Sequence, residues 1–339
     1  MLNLGFIGCG GIARHHAARL CQLPKSVRFT ATADLNRKAA DSLARDFGGG
    51  HDVAVFTDYR DLLKSGKVDA VLVCTPTYLH APPVIAAARA GVHVFCEKPM
   101  ALKLGDAHRM AEACEHHGVH LTIGFVRRFD SFWGCMRKIV ESGTLGGPVV
   151  WRSVSAGHQS TVWMRDADKG GGPLMDGGVH NYDFALQMFG PAETVQASSM
   201  RFDATSLGAD TTSAIVTFAA GHQLTMNWSW GMPPGVSSSG IDDIIGPVGA
   251  LPIRPAIPEK TPKGFDPQRQ AALVVSTKGG AQRVRTYHQE DMFAQQLKHV
   301  CRHFARDTQP LVTAADGIKA LEVAVAVLKS GRTRRTIRL

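Results

Sequence analysis

Short apolar runs alternate with amphipathic stretches over the first 125 or so positions. NLGFIG (3–8), FTATAD (29–34), the run 53–57, DAVLVCTP (69–76), HVFCEKP (93–99) and HLTIGF (120–125) read as strands. Between them, 12–22, 36–47, 58–65, 81–90 and 103–118 carry the apolar spacing of helices. Strand and helix in strict alternation predict an α/β fold whose doubly wound parallel sheet is covered on both faces. After residue 125 the texture changes. A helix at 128–143 is followed by β-rich stretches such as ETVQASSMRFD, TSAIVTFAAGHQLTMNWSW and AALVVSTKGG, whose spacing predicts a large, mostly antiparallel open sheet. Segment 231–263 reads as loop and short strand, 290–306 and 314–330 as helices, and RTIRL as a last strand. The expected organisation is a cofactor domain over 1–124 and a substrate-binding and oligomerisation domain over 125–339, with the C-terminal helices able to pack back on the first.

Composition narrows the class of protein. Hydrophobic residues are 44% of the 339 and charged residues 20%, values of a globular chain long enough for two cores. No apolar run reaches the length of a membrane span. The N-terminal MLNLGFIGCGG lacks a basic leader and reads as a buried strand, so a cytoplasmic location is expected. Seven cysteines without CxxC spacing predict reduced thiols and no metal site. The net charge of +9 is dispersed apart from Arg332, Arg334, Arg335 and Arg338, which fits a basic surface attracting a phosphorylated cofactor better than a nucleic-acid interface.

Gly8-Cys9-Gly10-Gly11-Ile12-Ala13 fits G-x-G-x-x-G/A between a strand and a helix. The first glycine turns the chain, the second admits a pyrophosphate and the small sixth residue lets helix and strand pack. Asp34 ends the next strand, where a carboxylate accepts from ribose hydroxyls and repels a 2′-phosphate. NAD is therefore expected over NADP, with Arg37 as the residue that argues the other way. Asp34 has a plainer reading as a helix cap. Thr75, Pro76 and His80 follow the fourth strand, and Glu97-Lys98-Pro99 follows the fifth, the ends at which open α/β sheets bind ligands. Pro99 restricts Lys98 and so aims its ammonium.

GGGPLMDGGVHNYD (170–183) sets five glycines around Asp176, His180 and Asp183. On one continuous helix over Leu174–Gly190 the three side chains would share a face. The glycines then read as making room for substrate and cofactor. A capping aspartate and a core histidine are the plainer alternatives.

These residues resemble the Gfo/Idh/MocA oxidoreductases over nearly the whole chain, through GCGGIA, TPTYLH, CEKP, the RRFD at 127–130 and GGGPLMDGGVHNYDFALQMFG. The resemblance implies a Rossmann domain, a C-terminal α/β domain, and NAD(P)-dependent redox chemistry on polyols, sugars or their derivatives. It places Lys98, Asp176 and His180 in catalysis and implies a homodimer or homotetramer. Gly8, Gly10, Gly11, Ile12, Ala13, Asp34, Arg37, Thr75, Pro76, His80, Glu97 and Lys98 are the expected cofactor residues. Arg127, His158, Trp163 and Tyr182 are the candidates for the sugar. Thr77 and Val126 depart from the family's more common asparagine or polar residue. Glycoside hydrolysis with transient ring oxidation and non-catalytic NAD(P) binding are the rival readings.

Overall fold

The computed structural model describes residues 1–238, 240–256 and 262–339, which form two compact units, 1–126 with 291–321 and 127–290 with 322–339. In the first unit β1 (Leu2–Ile7), β2 (Val27–Ala33), β3 (Ala54–Phe56), β4 (Ala70–Val73), β5 (His93–Cys96) and β6 (Leu121–Ile123) alternate with α1 (Gly11–Ala17), α2 (Arg37–Phe47), α3 (Tyr59–Lys64), α4 (Ala81–Arg89) and α5 (Leu104–His116). The six strands are all parallel in the order β3-β2-β1-β4-β5-β6. The order reverses beside β1, which makes the ends of β1 and β4 the switch point where such sheets bind ligands.

Burial explains the strand sequences. Leu4, Phe6, Leu72 and Phe95 have no exposed surface, as expected of strands packed on both faces. Each such side chain contributes about 1.5–3 kcal/mol of transfer free energy. The same core includes Leu297, Val300, Cys301 and Phe304 of α8 (Met292–Phe304), whose apolar stripe puts 291–321 with the first unit rather than the second.

The second unit opens with α6 (Ser131–Glu141), β7 (Val150–Ala156), α7 (Val179–Phe189) and β8 (Ala192–Met200). It continues through β9 (Thr211–Phe218), β10 (Gln223–Ser229), β11 (Ile241–Gly246), β12 (Gly249–Pro252), β13 (Gln270–Thr277) and β14 (Gln282–His288). The terminal helix α9 (Ala314–Thr333) leads into β15 (Ile337–Arg338). The nine strands lie in the order β14-β13-β12-β11-β7-β10-β9-β8-β15, antiparallel except for β7 beside β10. Two strands thus fall within 231–263. Trp151 of β7 and Phe218 of β9 face α6 and α7, where Trp133, Phe184 and Phe189 pack in edge-on or tilted pairs at ring distances of 5.2–5.9 Å. The alternate positions form the opposite face, on which the Arg152–Asp243 ion pair lies and Met200, Ile215 and Ile241 are exposed.

Candidate active site

At the end of β1 the glycines of the fingerprint divide into two kinds. Gly8 has φ +89°, and a Cβ there would lie 2.7 Å from the Thr75 backbone nitrogen, so it turns the chain against the end of β4. Gly10 and Gly11 face open space: no atom lies within 4 Å of an added Cβ. Ala13 is fully buried and Ile12 packs on the same core, which seats α1 on the sheet. Thr75 Oγ1 is buried and has no hydrogen-bond partner among the described residues. An open cradle at a helix start and an orphaned hydroxyl at the switch point fit a dinucleotide.

Asp34 is held at the end of β2, accepting from the Cys9 N–H at 2.7 Å and the Asn36 N–H at 2.8 Å. The capping role falls to Asn36, whose side chain accepts from the backbone N–H groups of Lys38 and Ala39. Asp34 thus presents a fixed carboxylate beside the glycine turn. Arg37 pairs with Asp41 one turn along its own helix and is largely exposed.

The Glu97 and His80 expectations change. Glu97 does not present its carboxylate to a cofactor; it is buried, pairs with His16 Nε2 of α1 at 2.6 Å, and accepts the Lys98 N–H at 3.1 Å. Burial alone would raise its pKa, but the bond to His16 holds it below the ordinary glutamate value. It ties α1 to the loop that carries Lys98. His80 is 1% exposed, with Nε2 2.9 Å from the Thr75 carbonyl and Nδ1 3.0 Å and 3.3 Å from the carbonyls of Pro99 and Met100. Burial lowers its pKa while the carbonyls oppose that shift. His80 therefore clasps the loop after β4 to the loop that carries Lys98, with both ring nitrogens turned to backbone carbonyls. Pro76 starts the short 3₁₀ turn Thr77–Leu79 beside that clasp.

In the second unit the continuous helix expected over 174–190 is broken. Pro173–Gly177 forms a π-type turn, with the Gly178 N–H donating to the Pro173 carbonyl, and α7 begins at Val179. Asp176 and His180 therefore sit on successive, differently wound turns instead of on one helical face. The glycines lie where the chain packs most closely around this break. A Cβ on Gly170 would lie 2.4 Å from Met164 Cα, one on Gly172 (φ +82°) 2.4 Å from the Ala209 carbonyl oxygen, and one on Gly177 2.7 Å from the Trp228 ring. The space the sequence reading reserved for ligand is filled by the unit's own chain.

The start of α7 is anchored from 3₁₀ turn 126–129. Arg127 donates to Asn181 Oδ1 at 2.9 Å and stacks on Trp133 with its guanidinium carbon 4.0 Å from the ring centre. Burial lowers Arg127 to about 10, against the nearby carboxylates of Asp242, Asp183 and Asp130. Arg128 grips buried Asp183 in a fork at 2.5–3.1 Å. These two arginines fix the helix on either side of His180. His158 Nδ1 lies 2.9 Å from the Met232 carbonyl, and Trp163 sits half-buried in the 3₁₀ turn Val162–Arg165. Tyr182 is corrected: its ring is fully enclosed in the core, where it is in no position to touch a sugar. Sequence reasoning missed Asn181, Trp228, which lies against Gly177, and Asp242, which accepts the Trp151 indole N–H at 2.7 Å. A polar residue directly after His180 was the only hint.

The model for the oxidoreductase family with an NAD-binding Rossmann fold matches residues 2–125, and that for the GFO/IDH/MocA C-terminal domain matches 134–242. A myo-inositol 2-dehydrogenase of Thermotoga maritima is 27% identical over 348 residues, covering 100% of this chain and 98% of its own. An uncharacterized oxidoreductase, YrbE, of Bacillus subtilis is 33% identical over 193 residues, about half of each chain at 56% and 54%. The structure of aldose-aldose oxidoreductase from Caulobacter crescentus, complexed with glycerol, superposes with a TM-score of 0.81 at 25% identity, covering 100% of this chain and 99% of that one. The chain belongs to the GFO/IDH/MocA family of NAD-dependent oxidoreductases.

Proposed function

We propose that this protein is a dehydrogenase that oxidises a secondary hydroxyl of a cyclic polyol or sugar, with His180 as the proton acceptor. NAD, when bound, supplies the hydride acceptor. Gly10, Gly11 and the Thr75 hydroxyl hold its phosphate end and Asp34 its ribose. Neutral His180 takes the hydroxyl proton, Lys98 stabilises the alkoxide charge as it develops, and Asp176 orients the hydroxyl or the imidazole. The observation that carries the reading is the close packing of the turn that bears Asp176 and His180, through Gly172 and Gly177, together with the Arg127–Asn181 hydrogen bond at the start of α7. Such preorganisation is what a proton-transfer site requires and what a core histidine does not.

Following NADH absorbance over a panel of inositols, aldoses and sugar acids tests the assignment. Reduction of NAD with at least one of them is expected, and silence across the panel would refute it. The fixed carboxylate of Asp34 favours NAD over NADP. We further infer that a second copy of the chain covers the exposed face of the nine-stranded sheet and that the protein acts in the cytoplasm.

A further inference from the structure

Where β7 and β10 end and β11 begins, the second unit forms an open cavity of about 570 Å³, within the range of small-molecule sites. Trp228 forms one wall, and its indole N–H donates to Ser153 Oγ at 3.2 Å, which fixes the ring. The same indole is the group that a Cβ on Gly177 would meet at 2.7 Å, so the wall adjoins the turn that carries Asp176. Asp242 lines the cavity too. One of its oxygens accepts the Trp151 indole N–H, and the other accepts no hydrogen bond among the described residues. Exposed Ser155 adds a hydroxyl, buried Ile253 an apolar patch, and exposed Arg254 a cation.

An aromatic plane beside a carboxylate and hydroxyls matches a sugar ring, which has an apolar C–H face and a belt of hydroxyl donors. An anionic ligand would meet Asp242, and a purely apolar one would leave the second oxygen of that carboxylate without a hydrogen bond. We infer that the cavity is a subsite for a second sugar ring, and that the substrate is a glycoside whose neighbouring ring is the one oxidised. This rests on the dehydrogenase reading and extends it to a substrate class. Asp242, which burial raises to about 6, is able to accept from a sugar hydroxyl or, when protonated, to donate to one.

The test uses full-length protein with NAD, cellobiose and maltose against glucose and myo-inositol, and the cavity-filling variant Ser155→Phe, which leaves the strand intact. In the wild type a disaccharide is expected to exceed the single rings in kcat/KM, and Ser155→Phe to lower that ratio by about tenfold or more. A ratio within about twofold of wild type, in a variant with unchanged melting temperature, would overturn the subsite and leave the dehydrogenase reading standing. If neither ring size reduces NAD, the dehydrogenase reading fails. The subsite is then judged by saturation-transfer NMR with cellobiose and maltose. Contact that disappears in Ser155→Phe supports it, and no contact in the wild type, or contact unaltered in the variant, overturns it.

Discussion

In Gly172→Ala the new methyl group would lie 2.4 Å from the Ala209 carbonyl oxygen, on a residue held at φ +82°. That backbone conformation, φ +82° with ψ −171°, is essentially confined to glycine and costs another residue about 1–3 kcal/mol. The contact has to open by roughly an ångström against main chain, an overpacking that costs about 1–3 kcal/mol. Together the second unit should lose about 2–6 kcal/mol, a fall in melting temperature on the order of 5–15 °C. The informative control is Gly10→Ala, where an added Cβ meets nothing within 4 Å. Its stability should stay within about 0.5 kcal/mol of wild type, while NAD binding weakens at least about tenfold because the methyl occupies the pyrophosphate's approach. Thermal melts read beside NAD titration calorimetry measure both quantities. A Gly172→Ala protein that melts like wild type yet loses substrate turnover would refute the packing argument and restore the reading of these glycines as space for a ligand.

His80→Phe keeps the buried ring but removes the clasp on the Lys98 loop. Turnover should fall about tenfold with NAD affinity nearly unchanged, and the pH profile should move, which a merely structural loss would not cause. Asp242 is raised from 3.8 to about 6 by burial, so the folded protein binds its proton more tightly than the unfolded chain. Its contribution is favourable below pH 3.8 and lost as pH rises through 6. Asp242→Asn should therefore gain on wild type by up to about 2–3 kcal/mol between pH 4 and pH 8, measured by urea unfolding at each pH. Sedimentation should show a species larger than the 36.4 kDa chain, and a charge introduced at Ile215 should dissociate it; a monomer at working concentration would sink the inferred partner. Calorimetry should find NAD binding tighter than NADP, and the reverse order would make Arg37 the residue that decides.

The first sheet was legible because each strand is a short apolar run closed by a turn, and the period of the following helix is unambiguous. The fingerprint glycines, Asp34 and Lys98 lie at strand ends, so their places followed from the strands. The start of α7 was not legible. A glycine gives no sign of whether ligand or protein fills the space beside it, and at Gly172 and Gly177 the filler comes from Ala209 and Trp228, remote in sequence. For the same reason Glu97 and His80 looked like cofactor contacts: strand-end position shows where a side chain starts, whereas His16 and the Pro99 carbonyl decide where it ends. Tyr182 was misread because α7 is buried around most of its circumference and offers no polar face to mark the inside. β11 and β12 were weakly marked because both are short and rich in glycine, proline and aspartate.

The most direct measurement is turnover by His180→Asn, with the substrate that the polyol and sugar panel identifies, read beside melting temperature and NAD affinity. A positioned proton acceptor is worth about 10²–10⁴ in rate, so turnover should fall by that factor while stability and NAD binding stay near wild type. Turnover within about threefold of wild type, or a loss explained by unfolding alone, would contradict the assignment of His180 as the base.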